Sequence, residues 1–179
     1  MIEVRKVVGE EVETLSALAT RTFSDTFAEH NTLENMHAYI PSAFSVAQLS
    51  QELASPDSET YFVLVDEKPV GYIQLNFSST EKGLEDFSTI EICRLYILQE
   101  FLGHKFGKAL MEKAVAIAEE RHAEYLWLGV WEHNYRAVEF YKKWGFEFFG
   151  SHVFQLGSDP QIDLLMKRPI TTKSQLYED

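Results

Sequence analysis

The sequence predicts an α/β fold, with helices packed on a single sheet, and three observations carry that prediction. Glu91 to Val115, EICRLYILQEFLGHKFGKALMEKAV, reads as a buried strand, a short loop with Gly103 and Gly107, and an amphipathic helix. In that helix Phe106, Leu110, Ala114 and Ile117 share one face, with Lys108, Glu112 and Lys113 off it. Tyr125–Trp131 is a second apolar strand that also runs into a helix, and two hairpin patterns flank these units. At 179 residues, 45% of them apolar, the chain suits one domain with one sizeable core, assigned to residues 1–170 with a polar tail over 171–179.

In chain order, residues 2–8 alternate as a first strand. A helix from Glu10 to Ala28 follows, with Val12, Leu15, Ala19, Phe23 and Phe27 on one stripe. Thr32-x-x-Asn35 opens a second helix that Pro41 is expected to stop, and Ser45 to Ala54 makes a third. Tyr61–Asp66 and Val70–Phe77 form a hairpin about Glu67-Lys68-Pro69, and the polar Ser78–Asp86 is a loop. The fourth strand starts near Ser88. Its apolar positions change parity between Ile90, Ile92 and Leu95, Ile97, as an extra residue near Cys93–Arg94 would cause; a strand buried on both faces would show the same mixture. Gly129 interrupts the fifth strand, either leaving room for a close approach or marking a kink. Asn134 caps a helix that Gly145 ends. Phe146–Gln155 and Gln161–Lys167 close the chain as a hairpin about Ser158-Asp159-Pro160.

Composition excludes several functions. A net charge of −12 argues against a nucleic-acid partner, which needs clustered cations. It suits a cationic small-molecule partner, and equally a merely soluble acidic surface. Cys93 is the only cysteine, so no internal disulfide or thiolate metal cluster can form. No apolar run reaches membrane-span length, and MIEVRKVV lacks the pattern of a signal peptide, so a cytoplasmic location without membrane association is expected. A homodimer is allowed. Asp25, Glu29, His30, Glu34 and His37 lack metal-ligand spacing and read as acidic side chains of a helical hairpin facing a cleft.

Two stretches carry chemistry. The loop before Phe106 turns backbone N–H groups toward a helix start, an anion site, although any strand-loop-helix connection has such a start. Asn134 and Tyr141 are two helical turns apart and share a face that an extended ligand could follow; they also read as a plain cap and a core residue.

In order and spacing, the two stretches resemble the GNAT superfamily of N-acetyltransferases, over Tyr61 to Lys167. RLYILQEFLGHKFGKALM is similar to its acetyl-CoA strand and pyrophosphate loop. Asn134, Ala137 and Tyr141, followed by KKWGF, are similar to its second cofactor motif. TFSDTFAEHNTLENMHAYI, WLGVWEHN and GSHVFQLGSDPQIDLLMKR resemble bacterial spermine/spermidine acetyltransferases. The resemblance implies a twisted mixed sheet of about seven strands, splayed between strands four and five. It implies acetyl transfer from acetyl-CoA, without a metal, to a primary amine such as a polyamine by direct attack. Other implied readings are transfer to a protein N-terminus or lysine, and an acetyl-CoA sensor without turnover. Cofactor contacts would fall on Leu95, Tyr96, Ile97, Gly103, His104, Lys105, Phe106, Gly107, Lys108, Asn134, Tyr141 and Lys143. Tyr141 would be the acid that protonates the departing thiolate, and Glu91 the base, through water. Asp25, Glu29, Glu34 and Trp131 would meet the acceptor, with Tyr96 and His133 beside them. The loop departs from the family pattern at Leu102 and Lys105 and keeps Gly107. Lys105 is expected at negative φ with its ammonium toward a phosphate, or else to weaken cofactor binding.

Overall fold

The computed structural model describes residues 1–171; the expected tail over 171–179 lies, but for its first residue, outside the described residues. Seven strands form one sheet in the order β1-β2-β3-β4-β5-β7-β6, antiparallel except where β4 meets β5. The strands are β1 (Ile2–Lys6), β2 (Ser58–Val65), β3 (Lys68–Asn76), β4 (Thr89–Ile97), β5 (Tyr125–Trp131), β6 (Glu147–Leu156) and β7 (Asp159–Pro169). The helices are α1 (Val12–Phe27), α2 (Leu33–Phe44), α3 (Val46–Ala54), α4 (Phe106–Glu120) and α5 (Tyr135–Lys143).

Strand parity decides which helix covers which face. Tyr61 meets Lys113 of α4 and Phe77 meets Arg121 at its C-terminal end, while Tyr96 meets Phe23 of α1, and Gln74 and Arg94 meet Glu52 of α3. The α1–α3 layer and α4 therefore cover opposite faces of β2–β4. That explains why β3 is buried from Val70 to Leu75 without alternation.

Three sequence expectations shift. Pro41 does not stop α2 but lies inside it. Its missing N–H forfeits one bond on an exposed face. The last turn is held by buried Phe44, whose carbonyl accepts the Ser16 hydroxyl at 2.5 Å. The β2–β3 turn is Asp66-Glu67, both at positive φ, as a two-residue hairpin turn that follows strand twist requires. Pro69 consequently falls inside β3, tolerated at the register shift opposite Val63/Leu64. The last hairpin likewise turns at Gly157-Ser158, with Gly157 at φ +60 and Asp159-Pro160 already in β7.

Candidate active site

The site forms where β4 and β5 part. They pair only over Thr89–Glu91 and Tyr125–Trp127, after which β4 stays on β3 and β5 stays on β7. The cause lies in β4 itself. Ile92 pairs with Leu75 and Arg94 with Gln74, so Cys93 is an extra, unpaired residue. A bulge of this kind bends and twists its strand. Between the parted strands lies a cavity of about 580 Å³, a size that suits a small-molecule ligand. From Ile92 to Ile97 the edge of β4 that faces β5 has no strand partner, so its alternate N–H and C=O groups border the cavity.

At the outer end of this edge the chain passes through a 3-10 turn (Gln99–Phe101) into α4. Gly103 sits at φ +86 and Lys105 at φ +68. The expected negative φ of Lys105 is corrected: the residue occupies the left-handed region, because the chain must reverse sharply to enter α4. α4 starts with no side-chain cap and no acidic residue in its first turn. The N–H groups of Phe106, Gly107 and Lys108 thus lack intrahelical acceptors and sit at the positive end of the helix dipole. Gly103, Lys105, Phe106, Gly107 and Lys108 border the cavity; His104 is exposed and does not.

The β5 side contributes Gly129, Val130, Trp131 and the inner face of α5. Asn134 caps α5, its Oδ1 accepting the Ala137 N–H at 3.3 Å, and also borders the cavity. Tyr141 is buried in the cavity wall, 8% exposed, beside Phe140 and Phe146. Burial alone pushes its phenol well up, and its hydroxyl has no hydrogen bond to the described residues. Lys143 is exposed and away from the cavity.

The remaining predicted residues divide. Leu95, Tyr96, Ile97, Asp25 and Trp131 border the cavity, the last with its ring 5.5 Å from Phe27 and 5.4 Å from His30. Glu29 and Glu34 are exposed outside it, as is His133, whose ring stands edge-on to Trp131. Glu91 lies one residue before the cavity wall begins, and its Oε2 accepts the Ser79 hydroxyl. Cys93 opens onto the cavity yet is hemmed in by protein, and that burial, with Glu91 beside it, keeps its thiol protonated.

Three charged cavity residues escaped the sequence reading. Arg94 pairs with Glu52 at 2.7 Å and lies over the Phe44 ring, so its charge is matched within the wall. Arg136, exposed, borders the cavity two residues after Asn134, and the Asn-x-x-Ala spacing was the signal that pointed to its helix. Asp163 reaches the cavity from β7; it lies within the GSHVFQLGSDPQIDLLMKR stretch that carried the resemblance, but neither spacing nor residue type singled it out. A Cβ on Gly129 would lie 3.3 Å from both Asp163 Oδ2 and His152 Nε2, so the room at this glycine is taken by those two side chains. Burial raises the Asp163 carboxyl, and His152 partly opposes the rise. Among the described residues no group of three or more His, Cys, Asp or Glu side chains is placed to hold a metal ion.

The arrangement fits an extended ligand with an anionic end. A free strand edge can pair with its amides, and an uncapped helix start flanked by Lys108 and Arg136 can take its phosphates.

Comparison with known proteins agrees with this geometry. The model of the "Acetyltransferase (GNAT) family" matches residues 18–146. An uncharacterized N-acetyltransferase from the pepI 3' region of Lactobacillus delbrueckii subsp. lactis is 34% identical over 169 residues, 94% of this chain and 98% of that protein. A spermidine N(1)-acetyltransferase of Thermoplasma acidophilum is 27% identical over 150 residues, 82% of this chain and 88% of that protein. Among solved structures, the PaiA N-acetyltransferase of Thermoplasma acidophilum in complex with coenzyme A superposes with a TM-score of 0.79 at 24% identity, covering 94% of this chain and 99% of that one.

Proposed function

The chain belongs to the GNAT acetyltransferase family and is an N-acetyltransferase that uses acetyl-CoA, and on that premise we propose that its acceptor is a polyamine such as spermidine. One observation carries the cofactor assignment within the fold: β4 and β5 part at the Cys93 bulge, and the free β4 edge leads to the uncapped start of α4. Acetyl-CoA supplies an activated acetyl thioester. Residues 95–97 pair with its pantetheine arm as an added strand would, and the N–H groups of residues 103–108 hold its pyrophosphate. A backbone N–H beside the bulge faces the thioester oxygen, where negative charge develops. Tyr141, with a phenol that burial keeps protonated, gives its proton to the departing sulfur. Asn134 orients pantetheine amides. Arg136 borders the cavity where Lys143 does not and is the nearer cation for a phosphate.

Three features support a polyamine: the net charge of −12, the carboxylates of Asp25 and Asp163 on the cavity, and its aromatic wall, which favours cations. The spermidine acetyltransferase relative agrees in direction. Free CoA release should be measured over a panel of spermidine, spermine, uncharged amines and a lysine peptide. Spermidine is expected to give the highest kcat/KM, falling as salt screens the attraction. Equal rates for charged and uncharged amines would remove the polyamine reading, and preference for the peptide would move the acceptor to protein.

A further inference from the structure

Every acetyl transfer to an ammonium group releases one proton, and that proton needs a way out of a cavity bordered by burying aromatic rings. We propose that Asp163 is the catalytic base of this enzyme and that His152, its orientation set by Glu81, carries the proton from Asp163 to solvent. The inference rests on acetyl transfer to an amine, not on which amine is the acceptor.

Position comes first. The cavity narrows to a vertex where β4 and β5 rejoin, and Gly129 lies two residues beyond Trp127, the last residue of β5 paired with β4. The α4 start, which takes the phosphates, is at the other end of the parted β4 edge. An extended ligand anchored there points its reactive end toward the vertex. Asp163 stands at that end, opposite Trp131 in the β5–β7 register and against Gly129. Any side chain at residue 129 would crowd it, so the glycine and the carboxylate are complementary.

The route outward comes second. His152 Nδ1 is 3.0 Å from Glu81 Oε2, and Nε2 is 3.6 Å from Asp163 Oδ2. A carboxylate that accepts the Nδ1 proton leaves Nε2 as the acceptor, aimed at Asp163. The His152 side chain is 37% exposed while Asp163 is 15% exposed, so the imidazole links the cavity carboxyl to the surface, with the half-buried Glu81 holding its other nitrogen. Glu91 is placed differently: half-buried outside the cavity wall, its carboxylate is engaged by Ser79.

The chemistry balances. Asp163 takes one proton from the acceptor ammonium, and the freed lone pair forms the C–N bond to the acetyl carbon. The C–S bond breaks with its electron pair on sulfur, which takes the Tyr141 proton. The second nitrogen proton, shed as the amide forms, restores the phenol, and Asp163 passes the first to His152 Nε2. Burial raises the Asp163 carboxyl toward the pH at which a base works best. The groups that face it are His152 from β6 and Tyr39 from α2, with Glu81 behind the imidazole; Arg94 and Cys93 of β4 line the same cavity, the former paired with Glu52.

Steady-state kinetics of Asp163→Asn, His152→Ala and Glu91→Gln should be run with acetyl-CoA and the amine that wild-type protein turns over fastest, over about pH 5.5–9. Asp163→Asn is expected to lower kcat on the order of a hundredfold with the acetyl-CoA KM unchanged, and to abolish the fall of kcat/KM at low pH. His152→Ala should lose less and regain activity with imidazole in the buffer. Asp163→Asn raising only the amine KM, with the low-pH fall intact, would make Asp163 a binding carboxylate and overturn the assignment. Loss of that fall in Glu91→Gln instead would transfer the role to Glu91. If Asp163→Asn does not fold, judged by loss of thermal stabilisation by acetyl-CoA, His152→Ala decides, and wild-type kcat in it refutes the relay. Wild-type protein that acetyl-CoA stabilises but that acetylates no amine would bring down the functional reading as well.

Discussion

Two helices begin at the rim of the same cavity, and they begin differently. α5 opens on Asn134, whose side-chain oxygen takes up an N–H of the first turn. α4 opens on Lys105, in a left-handed conformation, with no side chain accepting from its first turn. Caps close α2 and α3 as well, through Thr32 and Ser45. A capped start has spent its donors within the protein, whereas an open start keeps them for an anion, at a cost in the stability of the free protein. The difference separates a helix that presents side chains, Asn134 and Tyr141, from one that presents backbone.

The sharpest way to break the contrast is to place a carboxylate at the open start. Lys105→Asp exchanges a cation for an anion where phosphate is expected, and asparagine-like residues tolerate the left-handed region. The Kd for acetyl-CoA, by calorimetry, should rise roughly tenfold or more, with no loss of apo stability. Unchanged affinity would mean that α4 does not hold the phosphates. The reciprocal change, Asn134→Ala, removes the α5 cap and should cost about 1 kcal/mol, a fall in Tm of about 2–4 °C for a chain of this size. Loss of acetyl-CoA affinity beyond that would show that the same side chain also serves the ligand. The smallest effect is expected from Lys105→Gly. Relief of the left-handed strain should raise stability by about 0.5–1 kcal/mol, read by denaturant unfolding, while the lost charge weakens acetyl-CoA slightly.

Much of the fold was legible because it is written in local periodicity and in turn residues. The stripe of α4, the apolar run of β5, the Asn134 and Gly145 boundaries of α5 and the parity change at Cys93 all follow from neighbours within a few positions. The misplaced boundaries had a common cause. Pro41, Pro69 and Pro160 each read as punctuation in the sequence, and each lies inside an element: Pro41 on an exposed helix face, Pro69 at a register shift, and Pro160 where β7 extends beyond its pairing with β5. Of the site, the loop and α5 were legible because their spacing is contiguous. Asp25 and Trp131 reach the cavity while Glu29 and Glu34 do not, a division that depends on how α1 and α2 lie over the sheet.

By itself, then, the sequence determined the order of the elements and the pairing of an open loop with an Asn-to-Tyr helix face that marks the family. It offered a bulge near Cys93 as one of two readings, which the β3–β4 register decided. Only the tertiary structure decided what stands at the vertex of the cavity. β7 inserts between β5 and β6, and this strand order sets Asp163 against Gly129 and His152 against Asp163. Side-chain period within a strand says which residues share a face, but not which strand lies alongside. A carboxylate delivered across a sheet has no local signature, because the contacts that place it belong to two strands at once.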